Sequence, residues 1–208
     1  MVNRIKYCFF SIFFLCSLYT QKIDQQVWVD SIYSSMSLDQ KVGQLYSVWT
    51  ASKYGQEEIN EIKRIINEYH IGGLIFSLGN INDQIISHNI FQEQSNIPLL
   101  ISMDAEWGLG MRLDDGFSFP YNITLGAIRD DSLVFAVGQR IGEHLKKIGV
   151  HLNFAPVSDV NTNPKNPIIG ARSFGENKFN VTNKSIKYIE GLNNLSLIHI
   201  SEPTRPVP

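Results

Sequence analysis

The sequence predicts an α/β protein built on a parallel β-sheet. Short apolar runs and amphipathic helical stretches alternate about four times along the chain, which is the pattern of repeated β–α units. Residues 98–103 (PLLISM) are apolar on both faces, as a parallel strand covered on both sides requires. Two long connections, residues 104–130 and 156–178, follow predicted strands at the end where α/β proteins build their sites.

The first predicted helix and the strands take their bounds from capping and apolar runs. Ser37 and Gln40 form a capping-box pattern for a short helix that leads to Val42. Each predicted strand is a short apolar run bounded by polar or turn residues. The predicted strands are residues 44–48, 74–76, 98–103 and 150–155.

The longer helices follow from apolar spacing and end signals. Residues 57–69 carry isoleucines at helical spacing and begin with Glu57 and Glu58, where the helix dipole favours acidic side chains. Residues 131–148 place their apolar side chains on one face, and Gly149 is a natural C-terminal cap. Residues 81–95 and 179–193 are the remaining predicted helices.

Composition and length exclude several classes of protein. Eighteen basic and 20 acidic side chains give a formal charge of -2, which argues against a nucleic-acid partner. No stretch of about 18 residues is continuously apolar, so no stable membrane span is expected. The chain has 208 residues, whereas a complete eight-unit α/β barrel needs about 250. The sequence does not reveal the oligomeric state.

The N-terminus is typical of a secretory signal peptide. Arg4 and Lys6 precede the apolar residues 7–19, so we expect residues 1–20 to direct export to the periplasm or the outside of the cell. A lipoprotein anchor at Cys16 is the less favoured alternative, because bulky residues stand just before it. Cys8 and Cys16 both lie in this segment, so the mature protein would contain no disulfide and no thiolate site.

The first long connection contains two candidate site residues. Asp104 stands where a buried strand meets a loop, and burying its charge unpaired would cost several kcal/mol. It either accepts hydrogen bonds from a polar substrate such as a sugar or caps the amides of the loop. Trp107 either joins the core or stacks on a sugar ring.

The second long connection adds Asp159, which also follows a strand, and Arg172. The Arg172 guanidinium either donates a fork of hydrogen bonds to substrate oxygens or forms a salt bridge that braces the loop.

Other chemistries lack their sequence signatures. The histidines have no metal-ligand spacing, and the chain has no nucleophile elbow or phosphate-binding loop. Gly108 and Gly110 resemble a dinucleotide fingerprint, but Leu113 replaces its third glycine. We therefore expect no metal and no cofactor.

Four segments together resemble the N-terminal barrel domain of family 3 glycoside hydrolases, which include β-N-acetylhexosaminidases and β-glucosidases. In chain order they are GGLIFSLGN, PLLISMDAEWGLGMRL, GVHLNFAPVSDVNTNP and NPIIGARSFGEN. The resemblance covers residues 37–192. It implies a partial TIM-type (β/α)8 barrel of roughly the first four β/α units, which we place in residues 21–194.

The same resemblance implies a carbohydrate substrate and hydrolysis of β-glycosidic bonds with retention of configuration. It implies that Asp104 binds a hydroxyl of the non-reducing-end sugar and that Arg112 and Arg172 line the same pocket. Hexosaminidase members often carry D-x-E-G-G where this chain has Asp104-Ala-Glu-Trp-Gly. This departure leaves two sugar specificities open within the resemblance: release of terminal β-linked N-acetylglucosamine is the leading expectation, and β-glucosidase activity is the alternative.

The catalytic machinery of the resembled family is expected beyond this chain. A retaining mechanism needs a carboxylate nucleophile and an acid/base group, and in the family these groups and a Lys-His pair follow the matched region. Residues 195–208 (LSLIHISEPTRPVP) depart from the family pattern and resemble a translated sequencing-adapter read, so we expect a non-native or disordered tail in which His199 has no catalytic role. We expect sugar binding without turnover from the chain as written. A non-catalytic carbohydrate-binding protein is the alternative.

Overall fold

The computed structural model describes residues 25–194 and the backbone of residues 198–199. The predicted signal segment, residues 1–20, lies outside the described residues. So does the predicted tail, residues 195–208, except for the backbone of residues 198–199. The chain divides into two compact units, residues 1–41 and 42–208.

The first unit contains helix α1 (Gln25–Ser35) and the start of α2 (Leu38–Gly43). The predicted capping box is present in both directions. The Ser37 N–H donates to Gln40 Oε1 at 2.9 Å, and the Gln40 N–H donates to Ser37 Oγ at 3.2 Å. This cap confirms the short helix predicted before Val42.

The second unit is built on a parallel sheet in which each strand lies beside its predecessor. Its strands, in spatial order, are β1 (Ser47–Thr50), β2 (Gly73–Phe76), β3 (Leu100–Met103), β4 (Leu152–Asn153) and β5 (Ile198–His199). The order never reverses, as in a singly wound barrel and unlike a doubly wound dinucleotide fold. The predicted parallel α/β architecture is confirmed, and the five strands within the described residues form a partial, open barrel.

The helices predicted in this unit are confirmed to within two residues at each end. They are α3 (Gly55–Tyr69), α4 (Ile81–Gln94), α6 (Asp131–Lys147) and α7 (Lys178–Asn193). The five-residue helix α5 (Asn122–Gly126) was not predicted, because it is too short to show a period. No helix within residues 25–194 is long and apolar enough to cross a membrane.

The first strand begins three residues later than predicted. Residues 44–46 continue the turn that ends α2: the Leu45 N–H donates to Val42 O and the Tyr46 N–H to Gly43 O. The Gln44 side chain also donates to His70 O at 2.8 Å. These residues are apolar enough to resemble a strand, but their backbone hydrogen bonds are satisfied locally.

The core lies between one face of the sheet and the helices. Alternating strand residues Leu74, Phe76, Ile101 and Met103 are fully buried in it. Some residues on the opposite face are exposed, including Trp49 at 46% and Leu100 at 39%. On this face of β3, Leu100 is partly exposed but Ser102 is only 2% exposed, so the cover expected on both sides of the strand is complete on one face and partial on the other.

Helices α6 and α7 approach closely through two glycines. A Cβ built on Gly138 would stand 2.3 Å from Tyr188 O, and one built on Gly191 would stand 2.2 Å from Phe135 O. The contact holds α7 against α6, and Tyr188 of α7 is fully buried in the core, with its hydroxyl on the carbonyl of Glu106 just after β3.

Candidate functional site

Asp104 and Arg112 form an ion pair directly after β3. Asp104 follows the last residue of the strand, and Arg112 directly follows the short 3-10 turn Leu109–Met111. Arg112 Nη2 lies 2.5 Å from Asp104 Oδ2, and the two side chains are 27% and 29% exposed. The pair is thus partly accessible to solvent at the carboxyl end of the sheet.

Arg172 forms a second ion pair with Glu106. Arg172 Nε donates to Glu106 Oε1 at 2.9 Å and to Oε2 at 3.2 Å. The Glu106 side chain is 2% exposed and that of Arg172 is 26% exposed. The salt bridge that the sequence left open for Arg172 is present, and it joins the loop after β3 to the loop after β4.

Glu106 was not predicted as a site residue. The sequence does contain a signal for it: Glu106 stands two residues after Asp104 in an apolar, glycine-rich stretch. A second carboxylate in such a stretch also requires a partner for its charge. That partner lies 66 residues away, so neighbouring residues could not reveal it.

Two side chains hold the backbone between the acidic residues. Asn153, on β4, accepts from the Ala105 N–H at 3.0 Å and donates to Ala105 O at 3.4 Å. The Tyr188 hydroxyl, on α7, donates to Glu106 O at 2.9 Å. Burial, reinforced by the charge of Glu106, raises the pKa of Tyr188 well above its usual range, so this phenol remains a donor. The loop that carries Asp104 and Glu106 is therefore rigidly attached to the core.

The loop that carries Arg172 is fixed by hydrogen bonds at its base. Ser173 Oγ donates to Asp159 O at 2.6 Å, and the Asn161 N–H donates to Gly175 O at 2.9 Å. Asn122, the first residue of α5, donates to Arg172 O at 2.7 Å. Asp159 thus contributes its backbone carbonyl to the loop.

Trp107 packs against a second aromatic residue. Its ring centroid lies 4.6 Å from that of Tyr121, and the two rings meet edge to face at 75°. Trp107 is partly exposed and Tyr121 is 50% exposed, so neither belongs to the buried core. Tyr121 was not predicted as a site residue. It lies beside Trp107 because the long connection after β3, residues 104–130, folds back on itself.

The arrangement is suited to binding a neutral polyhydroxyl compound. Carboxylates accept hydrogen bonds and guanidinium groups donate them. A carboxylate next to a guanidinium can therefore bind a hydroxyl group both as a donor and as an acceptor. Both carboxylates are occupied by arginines, which favours a binding or positioning role over proton transfer. Within residues 25–194, no three His, Cys, Asp or Glu side chains are grouped to hold a metal ion.

His151 and His88 lie at the amino end of the strands, opposite the ion pairs. His151 stands just before β4, and its Nδ1 accepts from the Ile101 N–H at 3.0 Å. His88 lies beside it, with ring centroids 6.2 Å apart. Burial lowers the pKa of both imidazoles, and the neighbouring His151 lowers that of His88 further.

A model of the glycosyl hydrolase family 3 N-terminal domain matches residues 37–201. A beta-hexosaminidase A from Pseudoalteromonas piscicida is 36% identical over 62% of this chain and 24% of its own length. A beta-N-acetylglucosaminidase/beta-glucosidase from Cellulomonas fimi is 27% identical over 81% of this chain and 29% of its own length. The chain thus spans less than a third of either relative.

The solved structures include a glycoside hydrolase family 3 beta-N-acetylglucosaminidase from Paenibacillus. It is 31% identical and superimposes with a TM-score of 0.71, over 81% of this chain and 33% of its own. This likeness confirms the partial barrel architecture expected for the described strands and helices.

Proposed function

Because the chain belongs to glycosyl hydrolase family 3, we propose that the loops after β3 and β4 bind the non-reducing terminal sugar of a β-linked glycan. The observation that carries the proposal is the presence of two carboxylate–guanidinium pairs, Asp104–Arg112 and Glu106–Arg172, in the loops after β3 and β4, with both arginines partly accessible to solvent. In this proposal Asp104 accepts hydrogen bonds from sugar hydroxyls, while Arg112 and Arg172 donate to sugar oxygens. Buried Glu106 positions Arg172.

We propose terminal N-acetylglucosamine as the leading sugar and removal of that sugar with retention as the activity to which the site contributes. The named activities of the relatives from Pseudoalteromonas piscicida and Paenibacillus support this choice. The Cellulomonas fimi relative is named for both activities, which supports β-glucosidase action as the second candidate. Trp107 is proposed to stack on the bound substrate.

The binding proposal is tested by isothermal titration of the 208-residue chain with N-acetylglucosamine and with glucose. We expect N-acetylglucosamine to bind more tightly, and Asp104→Asn to weaken binding at least about tenfold because the hydroxyl acceptor loses its charge. Arg64→Met, which changes an exposed arginine on α3, should bind like the unaltered chain. Absence of binding to both sugars would refute the proposal, and equal affinities would favour the glucosidase alternative.

Turnover is a separate measurement. We propose that this chain binds without hydrolysing p-nitrophenyl β-N-acetylglucosaminide, since Asp104 and Glu106 are both held by arginines and a retaining reaction needs a nucleophile and an acid/base group. Release of p-nitrophenol that Asp104→Asn abolishes would contradict this.

We also propose that the protein is exported, because residues 1–20 are typical of a signal peptide. Expression of the 208-residue chain in a secretion-competent host tests this proposal, and we expect residues 1–20 to be cleaved from the exported protein.

A further inference from the structure

We infer that Trp107 and Tyr121 form a platform for a second pyranose ring, the sugar that follows the terminal residue of a β-linked oligosaccharide. This inference rests on the proposed function, because it places the aromatic pair next to the terminal sugar. It adds Tyr121 as a residue that determines preference for longer substrates.

The position of the pair follows from two connections to Arg172. Trp107 directly follows Glu106, whose carboxylate binds the Arg172 guanidinium. Tyr121 directly precedes Asn122, whose amide donates to the Arg172 carbonyl at 2.7 Å. Each aromatic residue is therefore the chain neighbour of a residue that contacts Arg172, which places the pair beside the Glu106–Arg172 ion pair at the carboxyl end of the sheet.

The pair is held in place by the backbone before any ligand binds. The Phe119 N–H donates to Trp107 O at 2.8 Å, and the Thr124 N–H donates to Tyr121 O at 2.9 Å. Gly108 adopts φ of +95°, and a Cβ there would lie 2.8 Å from Phe117 O, so glycine is required where the chain turns after Trp107. Ordering the platform at the moment of binding therefore costs little.

Exposure separates the platform from the ion pairs. Tyr121 is 50% exposed, whereas the Asp104 side chain is 29% exposed and that of Glu106 is 2% exposed. In an edge-to-face pair each ring keeps at least one broad face that its partner does not cover. The deeper ion pairs suit the hydroxyl groups of the terminal sugar, and the more exposed Tyr121 ring suits the apolar C–H face of the next one.

The experiment compares a monosaccharide with a disaccharide on the 208-residue chain. Titration calorimetry with N-acetylglucosamine and with N,N'-diacetylchitobiose is performed on the unaltered chain and on Tyr121→Ala, Tyr121→Trp and Asp104→Asn. Tyr69→Ala is the matched control, since Tyr69 is 53% exposed and ends α3 just before β2, at the opposite end of the sheet.

We expect Tyr121→Ala to weaken disaccharide binding by about two- to tenfold and to leave monosaccharide binding unchanged. Tyr121→Trp should retain disaccharide binding, and Tyr69→Ala should change neither affinity. Equal effects of Tyr121→Ala on both sugars, or no effect on either, would overturn the platform and leave the proposed function standing. If the unaltered chain binds neither sugar, or if Asp104→Asn changes neither affinity, the proposed function fails and the platform fails with it.

Discussion

The Arg172 guanidinium meets the Glu106 carboxylate through two nitrogens, with Nη2 2.7 Å and Nε 2.9 Å from Oε1. The two partners are unequally buried: 2% of the Glu106 side chain and 26% of the Arg172 side chain are exposed. The loss of Arg172 and the loss of Glu106 should therefore have different consequences. Loss of Arg172 leaves the Glu106 carboxylate ionised and almost fully removed from water, whereas loss of Glu106 leaves an arginine that is partly exposed.

Arg172→Met should destabilise the fold more than Glu106→Gln. The first change removes the arginine from a buried carboxylate and should cost about 3–5 kcal/mol in the free energy of unfolding. The second leaves an arginine that can turn towards solvent and should cost about 1–3 kcal/mol. Urea denaturation measures both. Arg64→Met, which changes an exposed ion-pair network, is the control and should alter the free energy of unfolding by no more than about 0.5 kcal/mol. A larger loss of stability in Glu106→Gln than in Arg172→Met would contradict the argument.

Tyr188→Phe should loosen the site while keeping the core filled. The change removes the hydroxyl that donates to Glu106 O and leaves that buried carbonyl without this donor, at a cost of about 1–2 kcal/mol. Sugar affinity should fall together with stability, because the backbone that carries Asp104 is less well held. Tyr69→Phe, on an exposed tyrosine, serves as the control. Unchanged unfolding of Tyr188→Phe would show that this hydrogen bond contributes nothing.

Gly138→Ala and Gly191→Ala should each destabilise the protein. Alanine normally improves a helix by about 0.5–1 kcal/mol relative to glycine. Here a new Cβ would stand 2.3 Å from Tyr188 O or 2.2 Å from Phe135 O, so α6 and α7 must separate, at a cost of about 1–3 kcal/mol or more. Leu133→Ala, on the exposed side of α6, should have little effect. A rise in melting temperature for either glycine variant would disprove the close contact.

Stability should fall on acidification because of His88 and His151. In the folded state, burial lowers the pKa of both imidazoles below the ordinary value of 6.5. Below pH 6.5 the unfolded chain therefore binds more protons than the folded chain. Their contribution is complete above about pH 6.5 and declines as the pH falls towards the lowered values. Protonation of His151 Nδ1 would also remove the acceptor of the Ile101 N–H.

Melting temperatures between about pH 5.5 and pH 7.5 test this expectation, since most carboxylates stay ionised in that window. The double variant His88→Gln, His151→Gln should show a flatter dependence on pH than the unaltered chain, whatever its absolute stability. The same slope in both proteins would assign the effect to other groups.

The elements that the sequence predicted well are those with a long, local signal. Helices α3, α6 and α7 show many turns of apolar periodicity, so their ends were predicted to within two residues. The turn at residues 44–46 was mistaken for a strand because its hydrogen bonds, not its composition, decide its conformation.

The candidate site residues predicted from the sequence lie at a strand end or in the long connections that follow the strands. Asp104 follows that rule directly and Arg172 lies in the long connection that follows a strand, whereas Glu106, Tyr121 and Tyr188 acquire their roles through partners far along the chain. Tyr188 in particular looks like an ordinary core aromatic until its hydroxyl is found on Glu106 O. Pairings of this kind depend on the completed fold.

The base of the β4–α7 loop has a consequence for how this protein family can diversify. Hydrogen bonds between Ser173 and Asp159 and between Asn161 and Gly175 close the loop below residues 162–168, most of which are exposed. Insertions in that segment lengthen a loop whose ends are already joined, and doubling its length costs only about 0.6 kcal/mol. New contacts with neighbouring molecules can therefore evolve there while the position of Arg172 is inherited unchanged.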